Sequence, residues 1–242
     1  MQKMKRQLRI VKTVTLKLTL ILVGFWPQLS LASSAKAFVI VANAPLQQPF
    51  EKDLLKRATH IVALDGAAIP LMKQGTIPNV IVGDMDSFTG LGQRDIPPSV
   101  RMVKAHNQNK TDLEKGIEFC DQQGAQSITI LNALGGRMDH TLWNIQLLKK
   151  YYKPERPLLL INEEQSLSFH KNEIVHVSGK RGDNCGVFGA PSATVSSEGL
   201  TYNMKKQRLL YGSSGSVSNS LSSSKASITI EGEAIVIKPL AD

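Results

Sequence analysis

Residues 80–87 read Val-Ile-Val-Gly-Asp-Met-Asp-Ser. Three branched apolar residues in a row are typical of a buried strand, and the glycine after them marks its end. Two carboxylates, Asp84 and Asp86, follow that glycine, with one residue between them. Open α/β sheets bind ligands beyond the carboxyl ends of their strands, and carboxylate oxygens are ligands that Mg²⁺ prefers. The stretch predicts a site for a divalent cation and a phosphate, provided that other strands bring matching groups to the same edge.

Alternating strands and helices precede this stretch and predict a parallel sheet. The predicted segments are a strand at 38–42, a helix at 50–58, a strand at 60–64 and a helix at 67–74. Strand–helix–strand units of this spacing make right-handed crossovers, which bring the strand ends to one edge. Asp65 follows the second strand directly. We therefore expect Asp65 to face the same crevice as Asp84 and Asp86.

A further helix start is predicted beyond a short strand near 100–103. Thr111 and Glu114 have the spacing of a capping box, in which the two residues satisfy each other's backbone donors. Asp112 lies in the first turn, where the helix dipole favours an acid without any ligand. A helix N-terminus also binds phosphate, and Lys110 and Lys115 flank this one. Both roles, helix-stabilising acid and ligand-binding acid, stay open for Asp112 at this point.

A Gly-Gly turn connects a strand at 127–132 to a helix that reaches about residue 151. The turn begins the sequence Gly-Gly-Arg-Met-Asp-His at 135–140. Glycines allow a backbone to approach phosphate closely, and Arg137 can hold phosphate oxygens through paired hydrogen bonds. Asp139 is either an N-cap or a site residue, and His140 is either a site residue or an ordinary packed histidine. The helix is expected to bury a face formed by Leu142, Ile145 and Leu148.

The pattern changes after a strand at 158–161. Short apolar runs with Gly and Ser turns now predict a β-sandwich or barrel. Its six strands are expected at 166–169, 173–177, 193–195, 208–211, 226–230 and 234–237. Residues 213–224 contain eight serines and form either a flexible linker or a binding loop. The predicted fold is α/β: a three-layer Rossmann-like parallel-sheet domain over 36–162, followed by an all-β sandwich domain over 163–242.

The net charge of +9 is typical of a nucleic-acid-binding protein, but its distribution argues against that function. Residues 1–35 contain six Lys or Arg and no acid, so the remaining chain is close to balanced. We therefore expect no nucleic-acid partner. The two cysteines, Cys120 and Cys185, are too few for a disulfide framework or a zinc set.

The N-terminal extension, residues 1–35, is similar to a secretory signal, with a basic start, an apolar stretch and small residues after it. Its apolar stretch is too short and too interrupted to form a stable membrane span. One interpretation is a mis-called upstream start or a non-folding extension. The alternative is a genuine signal for export or membrane association.

Five motifs, in order, resemble those of the thiamine pyrophosphokinases. They are Asp65-Gly66-Ala67-Ala68, the 83–87 stretch, Lys110 to Lys115, Gly135 to His140 with Leu142 and Asn144, and Gly199-Leu200-Thr201-Tyr202-Asn203 with Ser218-Asn219. The resemblance spans about residues 38–240. It implies a catalytic α/β domain, a vitamin-binding β-sandwich, and a homodimer with active sites at its interface. The chain has Tyr202 where the family usually has an aromatic residue, often Trp, and Asn43-Ala44 where the family usually has Asn-Gly.

The resemblance also implies a reaction: the thiamine hydroxyl takes a diphosphoryl group from ATP, which gives thiamine diphosphate and AMP. The implied cofactor is Mg²⁺, held by Asp65, Asp84, Asp86 and Asp112. Asp65, Asp84 and Asp112 are the implied catalytic residues, and Asp84 or Asp112 could accept the hydroxyl proton. The implied ATP side consists of Lys110, Thr111, Lys115, Arg137, Asp139 and His140. Tyr202 would stack on a thiamine ring, with Ser218 and Asn219 as hydrogen-bonding groups.

Two other classes of function compete with this one. A Mg²⁺-dependent nucleotide or phosphoester hydrolase could use the same acids without an acceptor. A non-catalytic nucleotide- or vitamin-binding module is disfavoured, because binding does not require four carboxylates in one crevice.

Use of ATP favours the cytoplasm, and hence the interpretation of residues 1–35 as a mis-called start or a non-folding extension.

Overall fold

The computed structural model describes residues 36–43, 49–88 and 96–240, and of residues 49 and 50 it describes the backbone only. The predicted extension at 1–35 lies outside these residues, and so does Ala44 of the Asn43-Ala44 turn. No helix in the described ranges is both long enough and apolar enough to cross a lipid bilayer.

The N-terminal half contains the predicted alternation of strands and helices. Its elements are β1 (Ala37–Val41), α1 (Pro49–Arg57), β2 (His60–Leu64), α2 (Ala68–Lys73), β3 (Val80–Gly83), β4 (Arg101–Lys104), α3 (Asp112–Gln122), β5 (Ser127–Leu131), α4 (Met138–Lys150) and β6 (Leu158–Ile161). Short 3₁₀ turns at Asp65–Ala67 and Asp86–Phe88 follow β2 and β3. Asp65 and Asp86 therefore begin tight turns, and Asp84 lies between β3 and the second of these turns.

The strands of this half form one parallel sheet in the order β6-β5-β1-β2-β3-β4. From β1 the chain adds strands in one direction as far as β4. It then returns to the other side of β1 to add β5 and β6. The strand order thus reverses between β1 and β5, and in open α/β sheets ligands bind at such a switch point.

Helices cover both faces of the sheet, which makes the three predicted layers. Alternate residues of β1 enter opposite cores, because successive side chains of a strand point to opposite faces. Phe38 and Ile40 pack with Ile117 of α3 and Leu147 of α4. Val39 and Val41 pack in the other core, with residues of α1 and α2. A large aliphatic side chain contributes about 1.5–3 kcal/mol when it is fully buried, so these two layers dominate the stability of this half.

The predicted buried face of α4 is partly wrong. Leu148 is buried, but Leu142 is 54% exposed. The inward position one turn before Leu147 and Leu148 is held by a polar residue, Asn144, which is buried. Its side-chain amide donates to the backbone oxygen of Ala133 at 2.8 Å. An apolar pattern misses a helix face that includes a hydrogen-bonded amide.

The C-terminal half is formed by strands alone within its described residues. They are β7 (Gln165–Lys171), β8 (Ile174–Ser178), β9 (Gly186–Glu198), β10 (Gln207–Leu210), β11 (Gly215–Ser216) and β12 (Lys225–Pro239). β7 pairs antiparallel with β6, so hydrogen bonds continue from the parallel sheet into this half. A separate apolar core, which includes Val195 and Ile228, lies among these strands.

Two predicted strands, 226–230 and 234–237, are a single strand in the structure. β12 pairs with β8 through its first part, with β7 through its second part, and with β9 along most of its length. Its pairing with β9 shifts between Gly232 and Ala234, and Gly232 has φ +107°. A bulge of this kind bends a strand without ending it, which lets β12 pair with β8 through its first part and with β7 through its second.

The serine-rich segment 213–224 is an ordered part of the fold, so the flexible-linker interpretation is wrong. It contains β11, which pairs with β9, and Ser220 and Leu221 form isolated bridges to Asn184 and Leu200. Leu221 is buried in the C-terminal core. The bridge to Leu200 also brings this segment beside the motif that begins at Gly199.

Two glycines with positive φ provide a test of this packing. A Cβ atom at Gly199 (φ +84°) would clash with the Lys225 carbonyl oxygen, whereas one at Gly182 (φ +93°) would meet no atom within 4 Å. Alanine at either position takes up a left-handed conformation that costs about 1–2 kcal/mol. Only Gly199→Ala adds a backbone clash, which we expect to cost a further ~1–3 kcal/mol. Urea unfolding of both variants measures the difference, and equal losses would contradict the packing.

Candidate active site

A crevice of about 560 Å³ opens at the switch point between β1 and β5. It lies between the ends of β1, β2, β3 and β5 and the N-termini of α3 and α4. Seven of the predicted site residues line it: Asp84, Lys110, Thr111, Asp112, Lys115, Arg137 and His140. The strand-end rule, that ligands bind beyond the carboxyl ends of parallel strands, therefore predicted the correct edge of the sheet.

The other predicted site residues do not line this crevice. Asp65 is only 4% exposed, and its carboxyl group is hydrogen-bonded to that of Asp84, while Asp86 begins the 3₁₀ turn after β3. Asp139 faces Arg137 outside the crevice lining. Tyr202, Ser218 and Asn219 also lie outside the lining as the described residues define it.

Asp65 and Asp84 are adjacent carboxyl groups with different proton affinities. Burial raises the pKa of Asp65, and the neighbouring Asp84 carboxylate raises it further. The backbone N–H of Asp86 donates to Asp84 Oδ1 at 3.3 Å and lowers the pKa of Asp84. Of the two, Asp65 therefore takes up a proton first, and Asp84 presents the negative charge to the crevice.

The backbone around these acids shows why the motif contains glycine. A Cβ atom at Gly83 would lie 2.5 Å from Cβ of Asp65, so the end of β3 can approach Asp65 only without a side chain. Met85, between the two acids of the motif, has φ +70°, which is uncommon for a residue other than glycine. Strained conformations of this kind cluster at functional sites. Here the strain falls at the turn that presents Asp84.

The capping box predicted at α3 is present. Thr111 Oγ1 accepts from the Glu114 backbone N–H, and Glu114 Oε2 accepts from the Thr111 backbone N–H at 3.1 Å. Asp112 is the first residue of the helix and lines the crevice. Lys115 Nζ donates to Asp112 Oδ1 at 2.9 Å, and the Lys115 side chain is buried. A buried cation thus holds the Asp112 carboxylate at the N-terminus of α3.

Each of the three basic residues expected to face phosphate has a carboxylate partner in the structure. Lys115 pairs with Asp112, Lys110 pairs with Glu118 at 2.6 Å, and Arg137 pairs with Asp139. Lys115 is fixed by burial, whereas the Arg137–Asp139 pair is exposed, and exposed pairs contribute little to stability. Arg137 can therefore exchange its carboxylate for another anion at small cost.

The Asp139 pairing also corrects its interpretation as an N-cap. The N-cap position of α4 is held by Arg137, and no side chain caps it. Asp139 is the second helical residue, and the hydrogen bond from Arg137 lowers the pKa of Asp139 to about 2. An aspartate at the second helical position lacks the geometry of an N-cap, because a cap must have non-helical backbone.

Four polar residues that line the crevice are absent from the predicted site residues. They are Asn43, Gln108, Asn132 and Asn144. Asn43 and Asn132 follow β1 and β5, so the strand-end rule applied to every strand would have found both. Asn132 has φ +56°, a conformation that asparagine tolerates better than most residues, and its side-chain Nδ2 is buried without a hydrogen-bond partner in the described chain.

The acids present fit a hard divalent cation that is shared with a phosphate ligand. Among the described residues, no three His, Cys, Asp or Glu side chains are arranged to hold a metal ion by themselves. Mg²⁺, however, usually binds through one or two carboxylates together with substrate phosphates. Asp84 with Asp65 supplies such a pair, and Asp65 Oδ1 is a buried oxygen without a hydrogen-bond partner in the described chain.

Asn219 is a buried residue that holds the backbone of Tyr202. Its Oδ1 accepts from the Tyr202 N–H at 3.0 Å, and its Nδ2 donates to the Tyr202 carbonyl at 2.8 Å. Further bonds reach Ser216 and the Ser220 backbone. Tyr202 itself is 70% exposed, and Ser218 is exposed with φ +56°. The amide is thus occupied within the protein, while the Tyr202 ring is presented to solvent.

Fold and crevice together define a doubly wound α/β protein, extended by a β-rich half, whose acidic and basic side chains meet at the switch point. Residues 51–160 match the family model "Thiamin pyrophosphokinase, catalytic domain", and residues 171–236 match "Thiamin pyrophosphokinase, vitamin B1 binding domain". The chain belongs to the thiamine pyrophosphokinase family.

Relatives from plants and bacteria agree with this assignment. The chain is 30% identical over 238 residues to thiamine pyrophosphokinase 1 of Oryza sativa subsp. japonica, over 84% of this chain and 87% of that protein. It is 32% identical over 180 residues to thiamine pyrophosphokinase 2 of the same plant, over 65% of this chain but only 63% of that protein. The crystal structure of thiamine pyrophosphokinase from Bacillus subtilis superposes with a TM-score of 0.73 at 25% identity, over 86% of this chain and 100% of that one.

The role of Asn219 can be separated from that of its neighbour. Asn219→Ala removes the amide from a buried site and leaves the Tyr202 backbone groups without partners, which we expect to lower the free energy of unfolding by about 1–3 kcal/mol. Ser218→Ala changes an exposed side chain and is expected to stay within about 0.5 kcal/mol of the parent. Chemical unfolding measures both. A loss at Ser218 as large as that at Asn219 would contradict the assignment.

Proposed function

We propose that the protein transfers the terminal diphosphoryl group of ATP to the hydroxyl group of thiamine, giving thiamine diphosphate and AMP. The observation that carries this proposal is the crevice at the switch point, where Asp84 and Asp112 face Lys115 and Arg137. Such transfer depends on positioning and charge neutralisation, and the crevice offers groups of both signs on fixed helix and strand ends.

The thiamine oxygen forms a bond to the β-phosphorus, the bond between that phosphorus and the oxygen bridging to the α-phosphate breaks, and AMP leaves. We propose that Asp65, Asp84, Asp86 and Asp112 handle the metal, with Asp84 foremost because it faces the crevice. Bound Mg²⁺ would neutralise phosphate charge. Asp84 or Asp112 accepts the hydroxyl proton.

The ATP side of the proposed site has one fixed cation and several adjustable groups. Lys115 is buried and held in place by Asp112. Lys110 and Arg137 can leave their carboxylate partners for phosphate oxygens. Asp139 then acts by pairing with Arg137 while no phosphate is bound. Thr111 and His140, which also line the crevice, complete the proposed set.

The thiamine side is proposed to consist of Tyr202 and Ser218. An aromatic ring can stack on a thiamine ring, and the Tyr202 ring is largely exposed for that purpose. Asn219 contributes by holding the Tyr202 backbone and does not need to touch the vitamin. The domain division proposed for these roles is 36–162 for ATP and 163–242 for thiamine, with β6 and β7 on either side of the boundary.

We also propose a homodimer in which a second copy supplies the thiamine side. Two features support it. First, the crevice lining among the described residues includes none of Tyr202, Ser218 and Asn219. Second, an apolar groove of about 830 Å³ runs along α4, and the exposed side chains of Leu142 and Tyr211 line it. Exposed apolar surface of this kind is typical of a protein interface.

Because ATP is the co-substrate, the proposed compartment is the cytoplasm.

AMP formation from Mg·ATP, with and without thiamine, tests the activity. The proposed kinase forms AMP only with thiamine, whereas a phosphoester hydrolase turns ATP over without it and a binding module forms none.

Asp84→Asn should lower the transfer rate at least 10³-fold, because the crevice loses the carboxylate that its strand end presents, while the thermal unfolding midpoint stays near that of the parent. Full activity in Asp84→Asn would remove this residue from the proposed mechanism.

Tyr202→Ala should raise the KM for thiamine about tenfold or more and change the KM for ATP by less than twofold, because base-like stacking contributes about 1–3 kcal/mol. Tyr202→Phe keeps the ring and is the matched control. Equal effects on both KM values would argue against stacking.

Mixing these two variants tests the homodimer. If Asp84 and Tyr202 of one site come from different copies, Asp84→Asn mixed with Tyr202→Ala yields some sites with neither change. The mixture should then show more activity at low thiamine than the two variants measured separately and averaged. Activity equal to that average would show that each chain completes its own site.

A further inference from the structure

Glu114, whose role in the capping box was predicted, has additional partners that a cap does not require. Its side chain is 2% exposed. Beyond Thr111, it accepts a hydrogen bond from Trp143 Nε1 at 3.1 Å and pairs with Lys150 Nζ. Both partners belong to α4, 29 and 36 residues along the chain. The first turn of α3 is thereby tied to a second helix.

The contacts around Glu114 form one connected set. Lys150 Nζ also lies 5.6 Å from the centre of the Trp143 ring, within range of a cation–π interaction. One turn further along α3, Glu118 accepts from Lys110 Nζ at 2.6 Å and from Tyr151 Oη at 2.8 Å. Two carboxylates of α3 thus accept hydrogen bonds from donors along α4 and just beyond its end.

The Glu114 carboxylate is buried among donors that satisfy it. The Thr111 backbone N–H, Trp143 Nε1 and Lys150 Nζ all lie within hydrogen-bond distance of its oxygens. Removing a partner from a buried charge is expensive, so this arrangement holds α3 and α4 at one separation. The same two helices carry crevice residues at their N-terminal ends, Asp112 and Lys115 on α3 and His140 on α4.

We propose that Glu114 is a positioning residue which, through Trp143 and Lys150, sets the N-terminus of α3 against α4 and so couples nucleotide binding in the crevice to Trp143. The proposal rests on the proposed function only in taking Mg·ATP as the nucleotide. Glu114 does not line the crevice and acts through the helix it begins. Phosphate at Asp112 and Lys115 shifts the first turn of α3, and that shift is felt at the Trp143 N–H.

The chain contains a spectroscopic reporter for this coupling. Trp143 is one of two tryptophans, and the other, Trp26, lies in the N-terminal extension. In the full-length Trp26→Phe protein, indole emission therefore comes from Trp143 alone. We expect Mg·ATP, added without thiamine, to change this emission in a saturable way. Glu114→Gln in the same background should reduce the amplitude at least fivefold.

Kinetics provide the second readout. Glu114→Gln should lower kcat/KM for Mg·ATP at least tenfold and leave the KM for thiamine within twofold, because only the α3 end of the site is displaced. Asp121→Asn is the matched control, since Asp121 lies at the other end of α3 and pairs with Lys153 and Arg156. It should lower the thermal unfolding midpoint to a similar degree but leave kcat/KM for Mg·ATP and the emission change intact.

The outcomes separate this inference from the proposed activity. An emission change in the parent that is lost in Glu114→Gln and kept in Asp121→Asn supports the coupling, even if no thiamine diphosphate is formed. Equal responses in the parent and Glu114→Gln overturn it, and so does a parent protein whose emission does not respond to Mg·ATP. Equal kinetic losses in Glu114→Gln and Asp121→Asn also overturn it, because both would then reflect stability alone.

Discussion

The pairing of β1 with β5 is the constraint on which the rest of the structure depends. These strands run parallel through five residue pairs, and the Ala42 N–H extends the ladder to the Leu131 carbonyl at 2.9 Å. The pairing places β1 in the centre of the sheet and creates the reversal of strand order. Because loops that leave neighbouring strands in opposite directions cannot fill the space between them, a crevice opens there. The helix ends that carry the charged groups surround that opening.

Short-range physics accounts for much of what could be predicted from the sequence. Apolar runs of three to five residues identified β1, β2, β3 and β6, because both faces of a parallel sheet are covered. The capping box identified the start of α3, since its two residues satisfy each other within one turn. Of the seven predicted residues that line the crevice, Asp84 followed from the rule that parallel strand ends share an edge. The other six were predicted from the helix start at Thr111, the Gly-Gly turn and the family resemblance.

What could not be predicted depends on partners far apart in the chain. Asn144 is buried on a helix face that its polarity argues against, because the Ala133 carbonyl meets it there. Asn219 was expected to bind a ligand, yet its amide is occupied by Tyr202, which lies 17 residues away. Glu114 shows the same limit: its local role was predicted, and its link to α4 was not. Hydrogen-bond partners are set by tertiary structure, which residue spacing does not reveal.

The central position of β1 also has a consequence for synthesis. β1 is an uncharged, fully buried run of five residues, and its partner β5 lies some ninety residues further along the chain. At translation rates of ~5–20 residues per second, one edge of this strand stays uncovered on the ribosome for several seconds. An apolar strand with an open edge is a template for wrong pairing with other chains. The strand that organises the finished protein is therefore open to mispairing while the chain is being made.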